Sequence, residues 1–322
     1  MSASRLWVVG FLLVGNLLWG RVVQADWRTE IRKQAAQHGW QVFNAAYLKA
    51  TVRALNTLDA TQPHAAFIFS REIDLEVVPP GPAVPESSLG TYHDDKRKMF
   101  LNEHVLLRGM RELRDKGATD EEIPEILAWK MMPTIAHEIR HAMTAEGVRQ
   151  ASGVSPPFKP LESEFISFLE EIVVILEIIR VRPGLWSDSS RILEIENGTA
   201  ALLRARKRHP VVLKESIAAT GSYRKRHRIL DTPRAELVER YQNELADYKR
   251  YFANLETAPD SFADPAEAEE LEHVAMQSVR SLGHVRKMHE LYSDAEVFNR
   301  IHAFYATEIQ RVERRLRKSR KP

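Results

Sequence analysis

Apolar and polar positions change rhythm several times along this chain, and each change predicts a different element. From about Trp27 to Leu58 apolar residues recur at the three-to-four-residue spacing of a helix that buries one face. Ala65-Ala66-Phe67-Ile68-Phe69 is a short apolar run and reads as a strand, as does Ile73-Asp74-Leu75-Glu76-Val77-Val78, where apolar and charged residues alternate. Gly90-Thr91-Tyr92-His93 and Lys98-Met99-Phe100-Leu101 flank the polar turn Asp94-Asp95-Lys96-Arg97 and predict a hairpin. Helical spacing then returns around 103–116 and again from about Asp120.

A further helix is expected around residues 134–146. Ile135, Ile139 and Met143 are spaced to bury one side, Pro133 suits its first turn and Gly147 its C-terminal stop. After a Gly-, Ser- and Pro-containing loop (150–160), the stretch from Leu161 to Ile179 predicts another helix, in which Glu170, Glu171 and Glu177 interrupt the apolar residues. Beyond Pro183-Gly184 the signals are almost all helical: 191–208, 234–255, 265–282 and 295–318, with 257–264 as a loop. The chain therefore reads as α+β, with a small antiparallel or mixed sheet followed by two central helices and a largely α-helical second half. It divides into residues 1–25, a core at 26–182 and a helical lobe at 183–322.

The first 25 residues stand apart. Arg5 precedes an apolar run from Leu6 to Trp19, and Val23-Gln24-Ala25 offers a small-residue cleavage pattern, which predicts a secretory signal peptide and an exported, periplasmic or secreted protein. The run is shorter than the roughly 20 residues that span a bilayer, and an uncleaved N-terminal anchor is the alternative. Removing 1–25 removes Arg5 and Arg21 and no acid, which leaves 44 basic and 44 acidic side chains. That balance argues against a general nucleic-acid surface. Local charge runs, such as nine basic residues between Arg204 and Arg228, read as solvated faces or mutual pairs, with contact to an anionic envelope surface as the functional alternative. The chain has no Cys, so disulfides and thiolate metal sites are excluded and any tight zinc site must use His and carboxylates.

Such a site is suggested by His137-Glu138-Ile139-Arg140-His141. Residues four apart lie one above the other on a helix, so His137 and His141 can aim two imidazoles at one ion with Glu138 beside them. Zinc held by three protein ligands keeps a fourth position for water and lowers its pKa towards about 7, leaving Glu138 to take the proton. The third ligand is sought on the next helix. Glu164 is preferred because Ser167 is small and permits close approach; Glu162, in the first turn, can instead complement the helix dipole. Glu170 and Glu171 are further alternatives, and Glu171, two turns beyond Glu164, could orient a ligand histidine.

With these residues in view, the chain resembles the zincin metallopeptidases, and among them the thermolysin-like gluzincins, which hold zinc with two His and one Glu. The resemblance implies one zinc ion, His137 and His141 as ligands, Glu164 as the third, Glu138 as general base, and a peptide or protein as substrate. It also implies a twisted sheet ahead of the zinc helix whose edge strand pairs with an extended peptide, so the hairpin around Tyr92 and Phe100 is expected to border a cleft. The Asn-Glu-x-x-x-Asp pattern of that group is absent, and Phe168 stands where its Asp would be. No His occurs between His141 and His209, which disfavours the metzincins. Tyr223, His227, His284, His289 and Tyr292 are available to assist a developing oxyanion, and the sequence does not choose among them. The rival expectations are a zinc-binding but inactive envelope protein and a metal-free helical interaction scaffold.

Overall fold

The structure, a computed structural model, describes residues 40–319 apart from 94–95, 156–158, 188, 190, 193–194, 196–199, 203, 205–209, 220–222, 224–225 and 257–264. The expected signal peptide, the first part of the expected N-terminal helix and the 257–264 loop lie outside the described residues. No helix among the described residues is long and apolar enough to cross a membrane.

Helix α1 (Trp40–Thr57) buries Phe43, Tyr47, Ala50 and Ala54, one stripe at helical spacing, against the central helix described below. Helix α2 (Gln62–Arg71) follows where a strand was expected at 65–69. Pro63 lies in its first turn, where a missing N–H costs nothing, and Glu72 closes it in the left-handed region (φ 51°) with its N–H on Ile68 O. His64, Ala65 and Ile68 face inward while Phe69 is exposed, a helical and not an alternating pattern.

Strands β1 (Asp74–Val78), β2 (Gly90–His93) and β3 (Lys98–Asn102) form a mixed sheet in the order β1-β3-β2. β1 runs parallel to β3 with Leu75 opposite Met99, and β2 runs antiparallel to it with Tyr92 opposite Met99. The predicted hairpin is thus present, and β2 is an edge. β3 leads directly into α3 (Glu103–Asp115), whose N-cap Asn102 accepts from His104 N at 3.0 Å. The same Asn102 amide donates to Ser88 O at 2.8 Å, which fixes the β1–β2 loop against the sheet.

The centre of the molecule is α4 (Glu122–Ser152), a single 31-residue helix. It joins two helices that the sequence predicts separately: Pro133 lies inside it, and Gly147 continues it instead of stopping it. The stop is Gly153, at φ 78°, where a side chain would be strained. Gly147 has another reason to be glycine, because a Cβ there would lie 2.5 Å from the Phe304 ring. α4 is buried on nearly every side, as expected of a helix surrounded by other elements.

Helix α5 (Leu161–Val181) packs along α4, and the 3-10 turn Pro183–Trp186 follows it. Helices α6 (Pro210–Ala218), α7 (Arg234–Glu256), α8 (Pro265–Ser293) and α9 (Ala295–Ser319) follow, and α8 runs a full three turns beyond its expected end. Much of the helix expected at 191–208 lies outside the described residues. α9 returns to α4 and α5, burying Phe298, Ile301, Tyr305, Val312 and Leu316. Ion pairs Arg140–Glu308 and Arg315–Glu170 clamp it there. One hydrophobic cluster extends from Phe43 to Leu316. The fold is α+β, helix-rich with a small mixed sheet.

Candidate metal centre

His137 and His141 lie one turn apart on α4, and Glu164 reaches them from the first turn of α5. His137 Nε2 is 3.2 Å from His141 Nε2, His141 Nε2 is 3.3 Å from Glu164 Oε1, and His137 Nε2 is 3.5 Å from Glu164 Oε2. All three residues are buried. A tetrahedral zinc ion with bonds of about 2.0–2.1 Å holds its ligand atoms roughly 3.3 Å apart. The triad could therefore hold a metal ion, and among the described residues it is the group of His and carboxylate side chains so arranged.

Each histidine is fixed through its other nitrogen. His137 Nδ1 lies 3.1 Å from Glu171 Oε2, and His141 Nδ1 lies 3.0 Å from Ser163 Oγ and 3.3 Å from Ser167 Oγ. A ligand histidine bound to a carboxylate has its tautomer and ring orientation set in this way. Phe168, in the place of the missing Asp, packs edge-on to the His137 ring at 4.7 Å. Glu171, three residues further along the same helix face, takes the carboxylate's part.

The charges follow from these contacts. Burial opposes charge on His137, yet hydrogen bonds to Glu164 and Glu171 outweigh it and raise its pKa to about 10 in the metal-free site. Burial holds His141 below its ordinary value despite the Glu164 hydrogen bond. Burial also works against charge on Glu164, but its hydrogen bonds with the two histidines prevail and keep it well below the usual carboxylate range. The metal-free triad thus holds an imidazolium, a neutral imidazole and a carboxylate, so an incoming ion displaces a proton.

Glu138, next to His137 in sequence, accepts from Tyr92 N at 3.2 Å, and its charge acts on both histidines. That contact ties the general-base candidate to the edge strand β2, which packs against α4.

The other carboxylates are engaged elsewhere. Glu162 is fully buried and accepts from Ile229 N (3.1 Å), Leu230 N (3.2 Å) and Lys214 Nζ (3.2 Å), so both its oxygens are engaged outside the His137–His141–Glu164 group and it does more than complement the helix dipole. Glu170 pairs with Arg315. Of the five downstream His and Tyr candidates, Tyr223 is linked to the triad through Phe168, which packs on His137. Its ring meets Phe168 edge-on at 6.1 Å, and burial together with the charges of Glu164, Glu138 and Glu171 raises its pKa, keeping a phenolic proton. His227 instead meets the Tyr241 hydroxyl at 3.0 Å through Nδ1, and Tyr292 stacks near Tyr241.

Comparison with protein-family models, curated proteins and solved structures finds no match to this chain. The site must therefore be read from its own chemistry.

Two of its parts escaped the sequence reading. Ser163, next to Glu164, carries no signal of its own until the helices are placed together. Arg226 lies in a basic run that reads as surface, yet its Nη1 is 2.8 Å from Glu164 Oε1. A separate cavity of about 590 Å3 beside α5 and α9, lined by Glu177, Arg180, Arg315 and Lys318 among others, includes no member of the triad.

Proposed function

We propose that this protein is a zinc-dependent metallopeptidase of zincin-like type, exported through its N-terminal segment and acting on peptide or protein substrates. The observation that supports it most is the convergence of His137 Nε2, His141 Nε2 and the Glu164 carboxylate within 3.2 to 3.5 Å of one another, with a further carboxylate, Glu138, adjacent in sequence. The donor set suits zinc: two imidazoles and a carboxylate, with no thiolate in the chain. A zinc ion bound there would supply Lewis acidity, bringing water's pKa towards about 7 and polarising a carbonyl.

In this reading the chain's own residues divide the remaining work. Glu138 takes a proton on a carboxylate oxygen and returns it to the leaving amine, a role worth about 10² to 10⁴ in rate. The Tyr92 N–H holds that carboxylate in place. Glu171 and Ser163 keep the imidazoles turned inward. Tyr223, protonated beside the triad, is the residue suited to donate a hydrogen bond to a developing oxyanion. Strand β2, at an edge of the sheet, is joined to Glu138 through the Tyr92 N–H, so in this reading the substrate passes close to that strand.

The test is Glu138→Gln, which keeps size and shape but takes no proton at neutral pH. Wild type and variant are incubated with a diverse peptide pool, cleavage being read by mass spectrometry and zinc by elemental analysis. The proposal expects equal zinc in both and cleavage by the wild type only. Equal cleavage by both would contradict Glu138 as base, and zinc with no cleavage by either would favour a zinc-binding protein without peptidase activity.

A further inference from the structure

Both histidines of the triad are braced from behind, by Glu171 and by Ser163 and Ser167. A glutamate side chain has three rotatable bonds and needs bracing more than a ring does. For Glu164 the brace arrives from far along the chain. Arg226 Nη1 lies 2.8 Å from Glu164 Oε1 and 3.2 Å from Lys159 O, so one guanidinium links the approach to α5 with the fourth residue of that helix. The guanidinium also lies over the Tyr223 ring, 4.9 Å from its centre, and Arg226 N donates to Tyr223 O at 3.0 Å.

The residues that follow Arg226 are docked on the same short stretch. Leu161 N donates to His227 O at 2.8 Å, and the Glu162 carboxylate accepts from the N–H groups of Ile229 and Leu230. Glu162 and Glu164, two residues apart, thus hold one segment from two sides: Glu162 through its backbone, Glu164 through its arginine. A carboxylate oxygen has two lone pairs, so Oε1 can accept from Arg226 and still offer a pair to an ion. The charges agree as well, because Glu138, Glu164 and Glu171 place three negative charges around a divalent cation, and Arg226 supplies the balancing positive charge.

We propose that Arg226 is a positioning residue for the metal, holding the Glu164 carboxylate in its ligating orientation, so that the C-terminal half of the chain completes the ligand set. This rests on His137, His141 and Glu164 being metal ligands. Loss of such a brace typically weakens metal affinity about 10- to 100-fold.

The experiment compares zinc affinity of the wild type, Arg226→Ala and Arg226→Lys, measured on the full chain by competition with a chromophoric chelator, with the melting temperature of each metal-free protein recorded alongside. Arg226→Ala should bind zinc about 10-fold or more weakly, Arg226→Lys should recover part of that loss, and the two metal-free variants should melt alike. If Arg226→Ala does not fold, Arg226→Gln takes its place with the same expectation, since it keeps a donor but not the charge. Affinity in the neutral variant equal to or tighter than wild type overturns the proposal, as does a lysine variant no better than the neutral one, or a metal-free destabilisation large enough to explain the loss. A wild type that takes up no zinc would instead overturn the metal-site reading itself, and this proposal with it.

Discussion

Glu171 offers a sharp test of how the centre is held, because it touches no metal and acts only through His137. Its Oε2 lies 3.1 Å from His137 Nδ1, and among the described residues no hydroxyl shares that nitrogen as Ser163 and Ser167 share that of His141. Glu171→Ala removes the acceptor, frees the ring to rotate about its Cβ–Cγ bond and lowers the basicity of Nε2. Losses of 10- to 100-fold in metal affinity are typical when such a partner is removed, or about 1.4 to 2.7 kcal/mol. Glu171→Gln keeps an amide oxygen for Nδ1–H but not the charge, so it should fall at the lower end. A second readout needs no metal. The His137 imidazolium, held to a pKa of about 10 against burial by Glu164 and Glu171, should lose its proton at clearly lower pH in Glu171→Gln, as followed by NMR titration of the metal-free protein. Zinc affinity in Glu171→Ala equal to wild type would show that Glu171 does not orient a ligand.

Three other changes have defined outcomes. Glu162→Ala leaves the N–H groups of Ile229 and Leu230 and the Lys214 ammonium without their buried carboxylate, and should cost about 3 to 5 kcal/mol in chemical denaturation; a cost under about 1 kcal/mol would return Glu162 to a helix-dipole role. Gly147→Ala puts a methyl group where the Phe304 ring lies, and should lower stability by about 1 to 3 kcal/mol by displacing α9 from α4, which a shift in melting temperature would report. In the metal-free protein, His137 contributes stability that is fully present below its ordinary value near 6.5 and is lost as pH rises through about 10, whereas Glu164, with its pKa lowered, contributes stability that is lost as pH falls below the ordinary carboxylate range. Denaturation of the metal-free protein should therefore become easier between about pH 6.5 and 10, and no such slope would contradict the charged imidazole.

How much of this was legible in the sequence depended on the range of the contacts. The pairing of His137 with His141 could be read from spacing because helical geometry fixes which side chains share a face; Glu164 was preferred to Glu162 on the small size of Ser167, and Glu171 followed as the residue two turns beyond Glu164 on the same face. The sheet was legible where side chains alternate, at 74–78, and in the hairpin with its polar turn. The stretch 65–69 was not, since a contiguous apolar run suits a buried strand and a helix equally; Pro63 in a first turn and packing on α4 made it helical. Pro133 and Gly147 looked like the ends of a helix because each weakens one locally. Burial of α4 on nearly all sides overrides the first, and Phe304, contributed by α9, occupies the space beside the second. Arg226 could not be read at all, because its partner Glu164 lies 62 positions earlier and its neighbours in sequence are mostly basic.

The account stands or falls on the ion. A crystal of the full chain grown with zinc, with diffraction data collected on both sides of the zinc absorption edge, locates the metal without reference to activity. The account predicts one anomalous peak per chain, about 2.0 to 2.1 Å from His137 Nε2 and His141 Nε2 and bonded to a Glu164 oxygen. No peak at that position, or a zinc ion held by other residues while these three remain hydrogen-bonded to one another, would contradict it.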